Sequence, residues 1–207
     1  GVYRREIDIP EEWEDREIFL TIDGVKSGVY VYINGEEVGY SEDSKTPAEF
    51  RINSYIQPGK NSLVLKIFRW STGSYLECQD FWRISGIERD VFLWSQPKTS
   101  LRDFRVKSTL DDDYLNGIFE LETTVSNYQS GASYANVSYE LLDPYGKVVA
   151  SQTKPIAVQS HGENSIRFSA QLPYVTTWTS EQPHLYKLLI TVKKEGEESE
   201  EVVPYPV

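Results

Sequence analysis

Only one cysteine, Cys78, occurs in the 207 residues, so no intramolecular disulfide can staple the chain and its stability has to come from burial. Histidine is almost as scarce. His161 and His184 lie far apart in sequence, no Cys or His cluster has metal-ligand spacing, and both histidines read as turn-exposed side chains. No apolar run approaches the length of a membrane-spanning helix, and no basic, apolar, cleavable leader opens the chain. Positive charge is also in short supply, with 21 Lys and Arg against 32 Asp and Glu and a formal net charge of −11. The deficit is even: residues 1–97 hold 11 basic and 17 acidic side chains, and residues 98–207 hold 10 and 15. Neither half has the basic stripe that phosphate neutralisation needs, so no nucleic-acid partner is expected, and no membrane partner either.

Methionine is missing altogether, even at position 1, and the chain enters a strand pattern at Gly1-Val-Tyr-Arg-Arg. The expectation is a piece cut from a longer polypeptide, so the lack of a leader leaves the compartment open between cytoplasm and periplasm. What the sequence does hold is apolar and aromatic: 39% hydrophobic and 13% aromatic residues, enough for real cores in one large or two ordinary domains. Short alternating runs separated by turn signals predict an all-β chain, and no stretch sustains a 3.6-residue period over three turns. In the first half, strands are expected over residues 2–9, 16–23, 29–33, 36–41, 50–52, 61–70 and 88–95. Residues 53–57 read as a single helical turn ended by Pro58-Gly59. Asn34-Gly35 tolerates positive φ at both positions and predicts a two-residue type I′ hairpin. The pattern resets at Gln96-Pro-Lys-Thr99, which places a domain boundary between residues 1–97 and 98–207. The second half offers strands at 101–109, 117–127, 135–142, 147–153, 163–171 and 185–192, then an acidic turn over 193–201. Units of this size and spacing suit a β-sandwich of immunoglobulin-like type, without the cysteine pair and core Trp of antibody domains.

Between two of these strands runs the most unusual stretch, Arg69-Trp-Ser-Thr-Gly-Ser-Tyr-Leu-Glu-Cys-Gln-Asp-Phe-Trp-Arg-Ile-Ser-Gly-Ile-Glu-Arg-Asp-Val-Phe-Leu-Trp94. A loop so rich in aromatic and charged side chains, held between strands, reads as a functional surface. On chemistry alone Asp80 caps a turn or pairs with Arg83 or Arg89. Trp82 and Arg83 could stack on and hydrogen-bond a sugar, or could plug the loop against a neighbouring domain with Arg83 in an ion pair. Glu77 and Glu88 are spaced as a carboxylate pair, but in β context such residues are solvated or paired, and no role is assigned to them. Cys78 reads as a small packed side chain.

This run, with Arg-Trp-Ser-x-Gly-Ser-Tyr-Leu-Glu-x-Gln-Asp-x-Trp-Arg-x-Ser-Gly-Ile-x-Arg-Asp-Val in register, resembles the N-terminal sugar-binding domain of glycoside hydrolase family 2, in particular its microbial β-galactosidases. Gly1-Val-Tyr3, Asp23-Gly24-Val25, Asn34-Gly35, Val38-Gly-Tyr-Ser41, Asp43-Ser44 and Pro47-Ala-Glu-Phe50 fit the same pattern. Trp178-Thr-Ser-Glu-Gln-Pro-His-Leu-Tyr186 is similar to a signature of the family's immunoglobulin-like domain. The likeness covers nearly the whole chain.

The resemblance implies a galactose-binding-like jelly roll with one or more N-terminal strands missing, then an immunoglobulin-like sandwich whose last strand is also in question. A catalytic (β/α)₈ barrel would follow, carrying both glutamates of a retaining β-galactosidase. These residues would then hold no catalytic group and be inactive alone. The implied site residues are Asp80, Trp82 and Arg83. Asp80 would reach the barrel's active site and help to ligate a monovalent cation, sodium, that also touches the galactose 6-hydroxyl; magnesium is a further cofactor implied for the complete enzyme. Hard cations prefer oxygen ligands, which suits a carboxylate. Implied partners are the β-galactoside, the chain's own barrel and further copies in a homo-oligomer. Two other functions compete: a free-standing carbohydrate-binding module and a purely structural pair of sandwiches.

Overall fold

Residues alternate between core and solvent along most strands, and that alternation decides the architecture. A computed structural model of the chain describes every residue except Cys78, Gln79, Phe81, Arg83 and Ser199. It divides into two compact units, Gly1–Pro97 and Lys98–Val207, each closed around its own apolar cluster.

In the first unit, β1 (Val2–Ile9), β7 (Gly59–Phe68), β4 (Gly28–Ile33) and β5 (Glu36–Ser41) form one antiparallel sheet in the order β1-β7-β4-β5. The facing sheet is β6 (Ala48–Arg51), β2 (Glu17–Ile22) and β9 (Val91–Gln96), in the order β6-β2-β9. A two-stranded ladder joins β3 (Val25–Lys26) to β8 (Gly86–Ile87). Between the sheets lie Leu63, Leu65 and Ile67 of β7, Val29, Val31 and Ile33 of β4, and Ile18, Leu20 and Ile22 of β2. These are the period-2 apolar positions of the sequence. The Asn34-Gly35 hairpin forms as expected, with φ of 53° and 89°. Its partner strand carries an irregularity, because Val31 opposes Gly39 while Tyr32 opposes Glu37.

The second unit stacks β10 (Thr99–Leu110), β11 (Gly117–Asn127) and β14 (Gly162–Leu172) against β13 (Val148–Val158), β12 (Ser133–Leu142), β15 (Lys187–Lys194) and β16 (Glu201–Pro206), in the orders β10-β11-β14 and β13-β12-β15-β16. Phe119, Leu121, Val137, Tyr139, Leu141, Phe168, Leu188 and Ile190 fill the space between.

The structure departs from the sequence reading in three places, each for a physical reason. Residues 53–57 form no helical turn. One turn bond, Tyr55 N–H to the Ile52 carbonyl at 2.9 Å, is made there, and side chains take several of the backbone groups that follow. Asn61 Nδ2 donates to the carbonyls of Gln57 (2.7 Å) and Gly59 (2.8 Å), and its Oδ1 accepts Gln57 N–H (2.9 Å). Asn53 clips onto the neighbouring strand through Ile18 N–H (2.9 Å) and the Arg16 carbonyl (2.8 Å). Local side-chain bonds of this kind compete with helix. Second, β2 is buried on both faces, since Phe19 stacks under Trp94 at 4.7 Å and Arg51 pairs with the buried Glu17. Third, β13 runs on through Pro155, and β16 exists despite Pro204 and Pro206. Both are edge strands, where a missing N–H costs no ladder bond.

Candidate functional site

The aromatic loop leaves β7 at Phe68, whose carbonyl accepts Ser27 N–H at 2.9 Å; the Ser27 hydroxyl donates to the Arg69 carbonyl at 3.1 Å. One short helix follows, α1 (Thr72–Leu76), which the sequence reading left as loop because five residues carry no period. Its start is held by side chains. Ser74 Oγ accepts Ser71 N–H at 3.0 Å and donates to the Ser71 carbonyl at 2.6 Å, while Glu42 Oε2 accepts Gly73 N–H at 2.9 Å. A carboxylate facing free N–H groups at a helix start is favourable. The Gly73 N–H bond is also the main reason that the Glu42 carboxyl is held below its ordinary pKa.

Just past α1, Glu77 Oε1 accepts Ser44 N–H at 2.9 Å. Two residues after Asp80, the Trp82 carbonyl accepts a hydrogen bond from Lys26 Nζ at 3.1 Å, and Lys26 is only 9% exposed. Asp80 is thus flanked on both sides by attachments to the body of the jelly roll. The loop that receives Glu77 is itself ordered: Asp43 Oδ1 accepts the N–H groups of Lys45 (3.1 Å) and Thr46 (3.3 Å), and the first of these bonds is the largest cause lowering the Asp43 pKa. Glu88 Oε2 meets Lys45 Nζ at 2.7 Å. Arg89 NH1 donates to the carbonyls of Lys45 (2.9 Å) and Asp23 (3.3 Å).

These contacts sort the sequence candidates. Glu77 and Glu88 are structural brackets with partners of their own. Arg89 spends its guanidinium on two carbonyls, so the Asp80 to Arg89 pairing considered from sequence is not formed. Asp80 is exposed, and no hydrogen bond or ion pair joins it to another described residue. Trp82 is 79% exposed, and Trp70, Tyr75, Leu76 and Ile84 are exposed on the same segment. Arg83 and Cys78 lie outside the described residues. Among the described residues no group of three or more His, Cys, Asp or Glu side chains could hold a metal ion. Asp80 offers a carboxylate, the oxygen donor type that hard cations take, but no such group of ligands forms around it among the described residues. His161 is exposed at φ 49°, and His184 lines an apolar hollow in the second unit. Lys26 and Glu42 were not singled out from sequence, and Ser44 stood out only within the matched Asp43-Ser44 pair, because each lies more than 30 positions from its partner in the loop.

The chain is a two-sheet jelly roll carrying an exposed aromatic and acidic loop, followed by an immunoglobulin-like sandwich, the two-module class of all-β architecture. Residues 1–97 match "Glycosyl hydrolases family 2, sugar binding domain" and residues 99–205 match "Glycosyl hydrolases family 2". The chain belongs to glycoside hydrolase family 2.

Among similar proteins, a "Beta-galactosidase" of Priestia megaterium is 38% identical over 194 residues, covering 93% of this chain and 19% of that protein. Another "Beta-galactosidase", of Halalkalibacterium halodurans, is 39% identical over 207 residues, covering 100% and 20%. The chain spans about a fifth of the length of these curated relatives. Among solved structures, a Bacteroides uniformis β-glucuronidase superposes with TM-score 0.93 at 19% identity, covering 100% of this chain and 26% of that one. A putative β-galactosidase of Bacteroides fragilis superposes at 0.88 with 17% identity, covering 100% and 32%. At such identities these superpositions speak for the fold alone.

Proposed function

We propose that the chain is the non-catalytic N-terminal portion of a retaining β-galactosidase, and that the loop around Asp80 completes the rim of an active site whose two carboxylates lie in the rest of the longer polypeptide. The observation that carries this reading is the exposed Asp80 between two fixed attachments, Glu77 to Ser44 and Lys26 to Trp82, with Trp82 beside it turned to solvent. An exposed acid beside an uncovered aromatic ring suits a group that acts in a site assembled with another domain. The β-galactosidase relatives, matched along nearly the whole chain, support the substrate class. In this reading Asp80 supplies one oxygen to a sodium ion that also binds the sugar, and Trp82 lies against the barrel or the sugar. Retaining glycosidases need two carboxyl groups about 5 Å apart. Glu77 and Glu88 are engaged elsewhere, so the 207 residues alone should not turn over a nitrophenyl β-galactoside. In the longer enzyme, Asp80→Ala should lower kcat/KM by roughly 10–100-fold with unchanged folding, and should weaken the dependence on sodium. Full activity with unaltered sodium dependence would remove Asp80 from the site.

The solvent-facing Trp82 ring also favours a second reading, a carbohydrate-binding module that works without a barrel. Calorimetric titration of the chain with galactose and lactose separates the two, since saturable millimolar or tighter binding would support the module.

A further inference from the structure

Asn-Gly occurs twice in the chain, at Asn34-Gly35 and Asn116-Gly117. This dipeptide is chemically labile, because a glycine with no Cβ leaves its own nitrogen unshielded. That nitrogen loses its proton and attacks Cγ of the Asn carboxamide. A new N–Cγ bond closes a five-membered succinimide, the Cγ–Nδ2 bond breaks, and ammonia leaves with the proton. Water then opens the ring at either carbonyl, giving Asp or isoaspartate. In sum an amide and water become a carboxyl and ammonia, and nothing is oxidised or reduced.

The fold demands both glycines. Gly35 has φ 89°, where an L side chain is strained, and a Cβ on Gly117 would lie 2.8 Å from the Val175 side chain. The hazard is therefore built in, and what the structure restrains is the Asn side chain. Asn34 Nδ2 donates to the Tyr55 carbonyl at 2.9 Å and to Asn61 Oδ1 at 2.8 Å, which uses both of its protons. Its Oδ1 accepts Ser62 N–H at 3.0 Å. Asn34 is exposed, but the Asn61 that grips it is only 2% exposed. Asn116 is held separately, with Nδ2 on Asp111 Oδ2 at 2.6 Å and Oδ1 on Tyr174 N–H at 3.3 Å. Before Cγ can meet the glycine nitrogen, each carboxamide has to swing out of these bonds.

We propose that Asn34-Gly35 is a latent succinimide site held shut by the buried Asn61 carboxamide, so that the hairpin tip deamidates only when that contact opens. The product is a switch in one direction. Once residue 34 is a carboxylate it has no proton for the Tyr55 carbonyl or for Asn61 Oδ1, and the hairpin is untied from the 53–58 turn.

The test holds the 207-residue chain at mildly alkaline pH, native and in urea, and follows Asn34 and Asn116 separately by peptide mapping with mass spectrometry. Native Asn34 should convert roughly tenfold or more slowly than in urea, since only the locally open form reacts. Asn61→Ala should speed native Asn34 roughly fivefold, the rise in open population that loss of one hydrogen bond implies. Asn116, in the other unit, should keep its rate and serves as the clock for conditions. Asn61→Ser also falls short of Asn34, and replaces the Ala variant if that melts early. Asn61→Asp keeps an oxygen for Asn34 Nδ2 but has no donor for the Gln57 and Gly59 carbonyls. It should loosen the turn, as thermal unfolding would show, yet leave Asn34 slow. The proposal fails if native Asn34 converts as fast as in urea, or if the shortened variants leave its rate unchanged. It also fails if Asn61→Asp speeds Asn34 as much as they do, which would assign the protection to the general order of the turn.

Discussion

Tyr139 carries a hydroxyl into the middle of the second core and finds no hydrogen-bond partner there among the described residues. Its ring packs against Phe119 and Phe168 with centroids 5.3 Å away in each case. Burial raises its pKa above the usual 10. An unsatisfied buried hydroxyl costs about 1–3 kcal/mol, so Tyr139→Phe should leave stability unchanged or raise it by about 1 kcal/mol, as urea denaturation would measure. A raised pKa contributes stability that is present below pH 10 and lost as pH rises through the folded value. The wild type should therefore lose more stability than Tyr139→Phe above pH 10. At this scale the sequence was informative about type and silent about partners. Asp80 and Trp82 stood out because rare residues stood in register. Lys26 and Glu42 did not, and Ser44 did only in its pair with Asp43, since a side chain 30 to 60 positions away carries no mark of the loop that it will hold.

The short helix α1 depends on charge at its start. Because the Glu42 pKa is depressed by the Gly73 N–H bond, its contribution is full above the ordinary carboxylate value of 4.5 and fades as pH falls through the folded value. The protection factor of the Gly73 amide, with the intrinsic pH dependence of exchange divided out, should fall on acidification below about pH 4.5 in the wild type. In Glu42→Gln it should already be lower at neutral pH and change little further. Asn61 is the corresponding case at the entrance to β7. It also accepts from Asn34 Nδ2 at 2.8 Å, tying the hairpin turn to the 53–58 turn. Asn61→Ala should cost about 1–2 kcal/mol, because it removes the partner of three part-buried backbone groups at once; thermal unfolding checks it. Strands were the most legible elements. β12, with its strict alternation from Ser133 to Leu142, could hardly be read otherwise. Elements stabilised by distant side chains, such as the Asn61 turn and α1, or tolerated only at an edge, such as β16, left no local periodicity to find.

Each unit has a core of its own, so residues 98–207 expressed alone should unfold cooperatively and keep the strand signature of the parent in circular dichroism. A molten, non-cooperative product would mean that the second core is not self-sufficient. Ladders between strands far apart in sequence, such as β1 with β7 and β12 with β15, predict millisecond-to-second folding, slower than for a helical bundle of this size. The architecture was legible because alternation, turn chemistry and the Gln96–Thr99 reset all agreed. The groove of about 720 Å³ between β1 and β9 was not, because its walls come from strands far apart in the chain.

Of the edge strands of the two four-stranded sheets, β1, β5, β13 and β16, the last carries two prolines. Tyr186 and Val207 exchange both backbone hydrogen bonds, so in the adjoining β16 the odd-numbered residues face β15 and the even-numbered ones face away. Pro204 and Pro206 therefore remove two of the three outward N–H groups from that border. That border of the second unit keeps a single outward N–H donor, which makes it a poor template for the chain-to-chain stacking that starts a fibril. Replacing both prolines with threonine would restore the missing donors and turn an inert rim into a nucleus for aggregation.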